Sequence, residues 1–490
     1  MVRCSEIALD QTNLVPAIVK DLLKEEGLNF SKTTNRKLLV ERLREQYKNF
    51  RKEEAVENNI AALLNENTFT VTTGHQLCLF GGPAYFIYKI ISTIRACELY
   101  SQKYPAQKFV PVFWLASEDH DFEEVNHLYL FNKKIEWNKE AKGAVGRIGT
   151  DDLEEVFSQI KALIPSADLS FFANAFNEKN LSLFTKSWLN QLFGKYGLVV
   201  IDADDKEFKQ SFASVIEKEF KEKTGQTEVG KTNAILQEKY KVQVNPREIN
   251  FFFLDENIRE RFQENDGRNW EKLLKENPEK FSPNVIYRPL YQEFILPNVA
   301  YVGGPNELAY WLQLKSLFAV HNIPYPQLIL RDSFLFITAG QRKIMQALGL
   351  DLASLFQSAE QLKAQYIQSK TDLDEATYQK QIDNVYLLIR NEALKVDGSL
   401  EGMVDAERAK SLKSLEGLMS RIKKAEKSRR QIDLNKIEKV KNQLFPEGVF
   451  QERRVSFLEF YAKDPSYIDL LLKKANPFNS CLKVLEEELI

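Results

Sequence analysis

FTVTTGHQ, residues 69–76, is a run rich in threonine, valine and phenylalanine stopped at Gly74, and PAYFIYKIISTIRACELYSQKY, opening at Pro83, reads as a helix with proline in its first turn. Residues 109–128, FVPVFWLASEDHDFEEVNHL, repeat the logic: a buried apolar strand through Leu115, then an acidic turn. Strand, turn and helix in alternation are how a parallel sheet flanked by helices is wound. The expected class is therefore α/β.

Outward from this pair, residues 33–66 carry apolar positions at helical spacing, Leu38, Leu39, Leu43, Ile60 and Leu63 among them, and form a helical lead-in. GLVVIDADD, residues 197–205, is a further buried strand, and NFFFLDENIRERF, residues 250–262, reads as a strand feeding a helix. Residues 281–318 return to strand, Gly-Gly-Pro turn and helix, and PYPQLILRDS follows as another short strand. The polar stretch before residue 197 shows no strand rhythm and reads as an insertion. From about residue 372 the texture changes. Ile382, Val385, Ile389, Ala393 and Val396 keep a three-to-four spacing, DGSLEG intervenes, and Leu412, Leu415, Met419, Ile422, Ala425 and Ile432 resume it. That pattern predicts an antiparallel helical hairpin, with residues 403–443 as one helix about 60 Å long, too long for one core to cover.

A chain of 490 residues exceeds what one hydrophobic core supports. With 67 basic against 69 acidic residues the whole-protein field attracts neither nucleic acid nor anionic membrane. The basic run at residues 421–441 reads as a solvated helix face without aromatic stacking partners, so no nucleic-acid partner is expected. Four cysteines, Cys4, Cys78, Cys97 and Cys481, form no CxxC pair or disulfide framework, which suits a reducing compartment. No stretch approaches the roughly 18 to 20 apolar residues of a membrane span, and the N-terminus has no apolar leader. A cytoplasmic protein is expected.

Three constellations could carry chemistry. In TTGHQ and FGGP, residues 72–76 and 80–83, the turn glycines let backbone amides approach an anion, and His75 and Gln76 could donate to a phosphoryl oxygen. Neither the P-loop nor the dinucleotide fingerprint is present. SEDHDFEEVNH, residues 117–127, gathers Glu118, Asp119, His120, Asp121 and Asn126 at a strand end, where open α/β sheets bind ligands. A general base, an amine-recognising carboxylate and a Mg²⁺ ligand all fit this chemistry. Zinc does not, since His120 and His127 are seven apart and match no ligand pattern. RPLYQEFILPNVAYVGGPNELAYW, residues 288–311, offers Arg288, Gly303, Gly304, Glu307 and Tyr310 at another strand-to-helix turn. The bland alternative for each is a tight turn, a bonded core histidine or a solvated helix start.

At these motifs, and at LFPEGVFQERRVSFLEF, residues 444–460, the chain resembles the cysteine-adding BshC enzymes of bacillithiol biosynthesis. The resemblance implies a Rossmann-like core similar to class I synthetases and nucleotidyltransferases, with insertions and a long coiled-coil arm that makes a homodimer. It implies core segments over residues 1–135 and 196–365, an insertion over 136–195, an arm over 366–445, and a C-terminal segment, 446–490, packing back on the core. It further implies that L-cysteine is joined to the amine of glucosaminyl-malate, the carboxyl being activated by ATP or another nucleotide. His75, Gln76, Asp119, His120 and Asp121 are the catalytic candidates. Thr73, Gly74 and Gly82 would approach phosphate, Glu118 and Asn126 would line the cleft with Gly303, Gly304, Glu307 and Tyr310, and Arg288 or Arg331 would hold the malate carboxylates. TGHQ stands where the class I fold has HxGH, and no KMSKS-like lysine loop is visible. A synthetase-like enzyme on another substrate, and a coiled-coil scaffold with a vestigial nucleotide fold, are the competing readings.

Overall fold

The computed structural model describes residues 2–9, 12–24, 27–51, 53–263, 267–370 and 374–488. Contacts divide the chain into two compact units, one of residues 4–335 with 449–485, the other of residues 336–448 with 1–3 and 486–490.

The larger unit is organised on five strands and their connecting helices: β1 (Thr68–His75), α1 (Tyr85–Lys103), β2 (Lys108–Leu115), α2 (Leu181–Phe193), β3 (Val199–Asp202), α3 (Tyr287–Ile295), β4 (Asn298–Gly303), α4 (Pro305–Trp311) and β5 (Gln327–Leu330). The sheet order is β5-β4-β1-β2-β3, parallel throughout. This is the Rossmann-like sheet that was expected. Val71, Val110, Phe113, Val200 and Val302 are fully buried, as strands covered on both faces require. Phe86 of α1 sits 5.2 Å from the Phe113 ring and 5.9 Å from that of Trp188 on α2, so both helices seal one layer. Each such side chain contributes about 1.5–3 kcal/mol. Pro111 lies inside β2, yet β3 pairs only with Val112 to Leu115, so the missing N–H falls where the outer side has no strand neighbour. Polar strand residues are satisfied across the sheet: Thr70 and Thr72 donate to Asn298 Oδ1 at 3.0 and 2.7 Å.

From β1 the chain winds through β2 to β3 on one side, and β4 and β5 build the other. The order therefore reverses between β1 and β4, and a crevice opens there at the carboxyl ends of the strands.

Several elements differ from expectation. Residues 250–262 form a hairpin, Phe251–Asp255 paired antiparallel with Ile258–Arg261, and no helix follows directly. Arg259 stacks on Phe252 with its guanidinium 4.0 Å from the ring, which holds the two strands face to face. Arg288 lies not at the Gly-Gly-Pro turn but in the first turn of α3, which follows the short strand Phe281–Pro283. Asn284 Oδ1 accepts from the amides of Ile286 and Tyr287 at 2.9 and 3.3 Å and starts α3 there, with Tyr287, Leu290, Tyr291 and Ile295 on its buried face. Residues 136–195 hold helices Leu153–Leu163 and Ser170–Ala173 and then α2, which carries the chain back to β3.

In the smaller unit the expected start of the arm, near residue 372, lies outside the described residues. Helices α5 (Glu375–Val396), α6 (Glu401–Arg429) and α7 (Gln431–Leu444) follow. The α5 and α6 pair is antiparallel, since Arg408 meets Asp383 at 2.7 Å and Lys423 meets Glu375 at 2.5 Å on either side of the Asp397 turn. Residues 403–443 are not one helix. The chain breaks at Arg430, and α7 turns Leu434 and Ile437 into a cluster with Leu348, Leu362, Tyr366 and Ile367. The basic run is thus divided between two helices, with Lys423, Arg430 and Lys436 answering carboxylates at 2.5 to 3.2 Å. On α6, Leu412 and Leu415 are half-buried and Met419 is buried, while Met403, Leu418 and Ile422 are exposed. More exposed apolar residues lie on α5, Val385, Leu388 and Val396 among them. Among the described residues no helix is long and apolar enough to cross a membrane.

Candidate active site

At the carboxyl end of β1 the His75 ring is held at both nitrogens. Nδ1 lies 3.1 Å from the carbonyl of Gln76 and Nε2 3.1 Å from the hydroxyl of Tyr85, at the start of α1. A carbonyl only accepts, so Nδ1 carries the proton and Nε2 accepts from Tyr85. Burial, and then the Lys89 ammonium, push the His75 pKa down to about 4. The imidazole is neutral at pH 7, with neither nitrogen free to donate to a phosphoryl oxygen as TTGHQ suggested. Titration of the His75 ring, followed by NMR, should show a midpoint near 4, and a midpoint at the ordinary 6.5 would reject this environment. Because the folded value lies below the unfolded one, the unfolded chain takes up the proton first as pH falls through that window, and stability falls with it.

Lys89, one turn along α1 and 3% exposed, donates to the carbonyl of Gly74 at 2.5 Å and pairs with Glu307 at 2.6 Å. Glu307 also accepts from Tyr301 Oη and, at 3.1 Å, from the amide of Gly304. Burial opposes its ionisation, but the Lys89 and Arg288 charges win and hold the carboxyl below its usual range. Both Glu307 oxygens therefore fix the first turn of α4 to β1 and β4.

Arg288 donates to Gln292 Oε1 at 3.1 Å and Tyr310 Oη at 3.2 Å, both neutral, between the rings of Tyr301 and Trp311. Arg331 is instead matched by Glu452, at 2.5 and 3.1 Å, in a buried bidentate pair. Of the two arginines offered for carboxylate recognition, Arg288 is the one whose hydrogen bonds leave its charge unmatched.

In the acidic turn, Glu118 pairs with the buried Lys209 at 2.5 Å, and burial still raises its pKa. Asp119 accepts from Gln76 Nε2 at 2.7 Å and lies 3.6 Å from Arg259. Burial would raise its pKa, but Gln76 and Arg259 hold it below the ordinary value. His120 Nδ1 accepts from Arg259 Nη1 at 2.8 Å, and the ring leans on Phe252.

These groups converge on a cavity of about 750 Å³ at the reversal of strand order. Gly74, His75, Gln76, Glu118, Asp119, Arg288, Gly304, Glu307, Tyr310 and Arg331 line it. Six sequence candidates lie outside that lining. Thr73 is buried between strands with its hydroxyl on the carbonyl of Val302 at 2.8 Å. Gly82 is a turn glycine, φ +49°, where a Cβ would fall 2.6 Å from that of Cys78. At Gly303 a Cβ would meet Leu308 at 2.6 Å, so that glycine serves helix packing. Asn126 is buried against His127, Asp121 is exposed ahead of a short helix, and His120 is held aside by Arg259. In their place the cavity gains Tyr85, Lys89, Arg247, Arg259, Arg261 and Arg453. The one legible signal among these was Lys89, a lone cation in the apolar run YFIYKIISTI, which a helix buries only with a partner.

The wall carries seven cationic and three acidic side chains, against a chain whose net charge is −2. Residues 21–332 match the family model described as the N-terminal Rossmann-like domain of bacillithiol biosynthesis BshC, and residues 334–487 match the BshC C-terminal coiled-coil domain. The chain belongs to the BshC family. A BshC relative from Flavobacterium psychrophilum is 41% identical, with 92% of this chain and 89% of the relative covered, and one from Flavobacterium johnsoniae is 40% identical, covering 94% and 91%. A more distant BshC from Chloroherpeton thalassium is 28% identical over 85% and 82% of the two chains. All three carry the name "Putative cysteine ligase BshC".

Proposed function

We propose that the chain is a cytoplasmic ligase that forms an amide between L-cysteine and the amine of glucosaminyl-malate, the last step of bacillithiol synthesis. The observation that carries this reading is the cationic excess of the cavity, with Arg288 unmatched, in a family whose members are named cysteine ligases. A malyl group brings two carboxylates to such a wall, and the ionised Asp119 offers an acceptor to an amine. Four free cysteines agree with a reducing compartment.

Amide formation at neutral pH needs an activated carboxyl, and ATP or another nucleotide is the proposed source. The fit is of charge: Arg288 and the open backbone of Gly304, where a Cβ would meet nothing nearer than Arg331 at 3.8 Å, suit phosphate oxygens. Mg²⁺ would enter with those phosphates, because Glu118 and Asp119 are engaged by Lys209, Gln76 and Arg259. Mass spectrometry of products from cysteine and glucosaminyl-malate, with each nucleotide added or omitted, tests the reading. Absence of the cysteinyl amide under every condition rejects it in favour of a synthetase-like enzyme on another substrate.

We also propose a homodimer through the arm. No residue of α5 is buried within its unit, and Val385, Leu388 and Val396 are 54%, 68% and 81% exposed on one face. A two-fold pairing would cover this stripe on both copies at once. Light scattering should find a dimer that Val385→Glu with Leu388→Glu splits. A monomeric wild type, or a variant that stays dimeric, removes the stripe from the interface.

A further inference from the structure

We propose that Tyr85 is a catalytic residue of this cavity, accepting the proton that an amine releases on attacking an activated carboxyl, with His75 as the positioning residue that receives Tyr85's own proton. The inference rests on the amide-forming reading above. Its foundation is the direction of one hydrogen bond. The Gln76 carbonyl favours the proton of His75 on Nδ1, which also lies 3.5 Å from Cys78 Sγ, and in that tautomer Nε2 accepts from the Tyr85 hydroxyl across 3.1 Å. Tyr85 lines the cavity, and its lone pairs are then left to the cavity side. That arrangement presents a neutral acceptor where a substrate amine can approach.

The neighbouring groups favour the same assignment. Among the carboxylates of the wall, Glu118 pairs with Lys209 and Glu307 with Lys89, while Asp119, held ionised below its usual range by Gln76 and Arg259, can accept an amine's hydrogen bond but is a poor acceptor for its proton. Burial pushes the Tyr85 phenol pKa up, so the hydroxyl stays protonated and serves as a relay rather than as an anion. The geometry is stiff as well: the His75 ring is wedged between Tyr85 and Phe86, at 5.2 and 5.4 Å, at the start of a helix packed on the sheet. For an acyl phosphate of cysteine, the C–N bond forms as the C–O bond to phosphate breaks, and phosphate leaves with that electron pair. The surplus proton on nitrogen passes to Tyr85 Oη while the phenol proton passes to His75 Nε2. The imidazolium so formed is disfavoured by burial and returns its proton to solvent once product leaves.

The test compares wild type, Tyr85→Phe and His75→Gln as full chains with cysteine, glucosaminyl-malate and ATP, alongside ¹⁵N spectra of the histidine rings. Tyr85→Phe keeps the ring that packs on His75 and removes only the hydroxyl. We expect kcat to fall by roughly 100-fold or more with KM for glucosaminyl-malate nearly unchanged, the pattern of a proton-transfer group. The Nε2 resonance of His75 should shift in the same variant. His75→Gln, whose amide oxygen can accept the hydrogen bond of Tyr85 but not its proton, should lose kcat on the same scale as Tyr85→Phe while leaving KM nearly unchanged. A Tyr85→Phe rate within about threefold of wild type, or a wild-type His75 protonated at Nε2, overturns the assignment. A wild type that forms no amide overturns the reading of function itself, and the two failures are distinct.

Discussion

Lys89→Met is expected to cost about 3–5 kcal/mol of stability, the scale for leaving a buried charge without its partner. Lys89 is the only ammonium facing the Glu307 carboxylate, and it also ties the carbonyl of Gly74 at the end of β1. Without it Glu307 keeps Tyr301, the Gly304 amide and the field of Arg288 but loses its direct ion pair. Urea unfolding of the single variant and of Lys89→Met with Glu307→Gln separates the effects. The double variant should recover much of the loss, because the orphaned charge is gone. A single variant within about 1 kcal/mol of wild type would mean that solvent reaches Glu307 and screens it.

Asp119→Ala should lower turnover by roughly 100-fold or more while leaving the unfolding midpoint close to that of wild type. Asp119 faces the cavity, Gln76 and Arg259 keep its carboxylate ionised, and the backbone bond its carbonyl accepts from Val145 survives the substitution, which removes only the side-chain bond from the His120 amide. Steady-state rates of Asp119→Ala and Asp119→Asn decide between charge and shape. Equal and severe losses mark the charge as essential. A near-wild-type rate in both would make Asp119 a spacer that holds Gln76.

The strands of the sheet were legible because residues 109–115 and 197–202 are the apolar runs a strand covered on both faces needs, and residues 69–75 carry the β-branched and aromatic residues that favour a strand. Their pairing order was not, since nothing local to β1 says that its second neighbour is β4. The site was legible where a residue ends a strand, as at His75, Glu118 and Asp119. It was misread where consecutive residues were taken as one group: His120, Asp121 and Asn126 leave the strand end in different directions, so a cluster in sequence is not a cluster in space. Arg259 was missed for a related reason. FFFLDENIRERF contains both apolar runs and charge, and the turn at Asp255 to Asn257 carries no glycine to announce a hairpin. Tyr85 passed as one more aromatic of an apolar helix, because only the three-dimensional contact with His75 gives its hydroxyl a direction.

The hydrogen bond from Thr70 to Asn298 joins residues 228 apart in sequence. A ribosome needs on the order of 10–50 s to deliver β4 once β1 has appeared. During that interval β1 can pair with β2 on one side, while its other edge, with the hydroxyls of Thr70 and Thr72 still lacking Asn298, has no strand to meet. Arg331 waits in its turn, about half as long, since Glu452 follows it by 121 residues. Pairings this distant slow folding and lengthen the life of the open edge. A nascent chain stalled short of Asn298 therefore holds three strands of this sheet and one raw edge, the surface that holdase chaperones shield, and the cavity at the strand ends is among the last parts of the molecule to come into being.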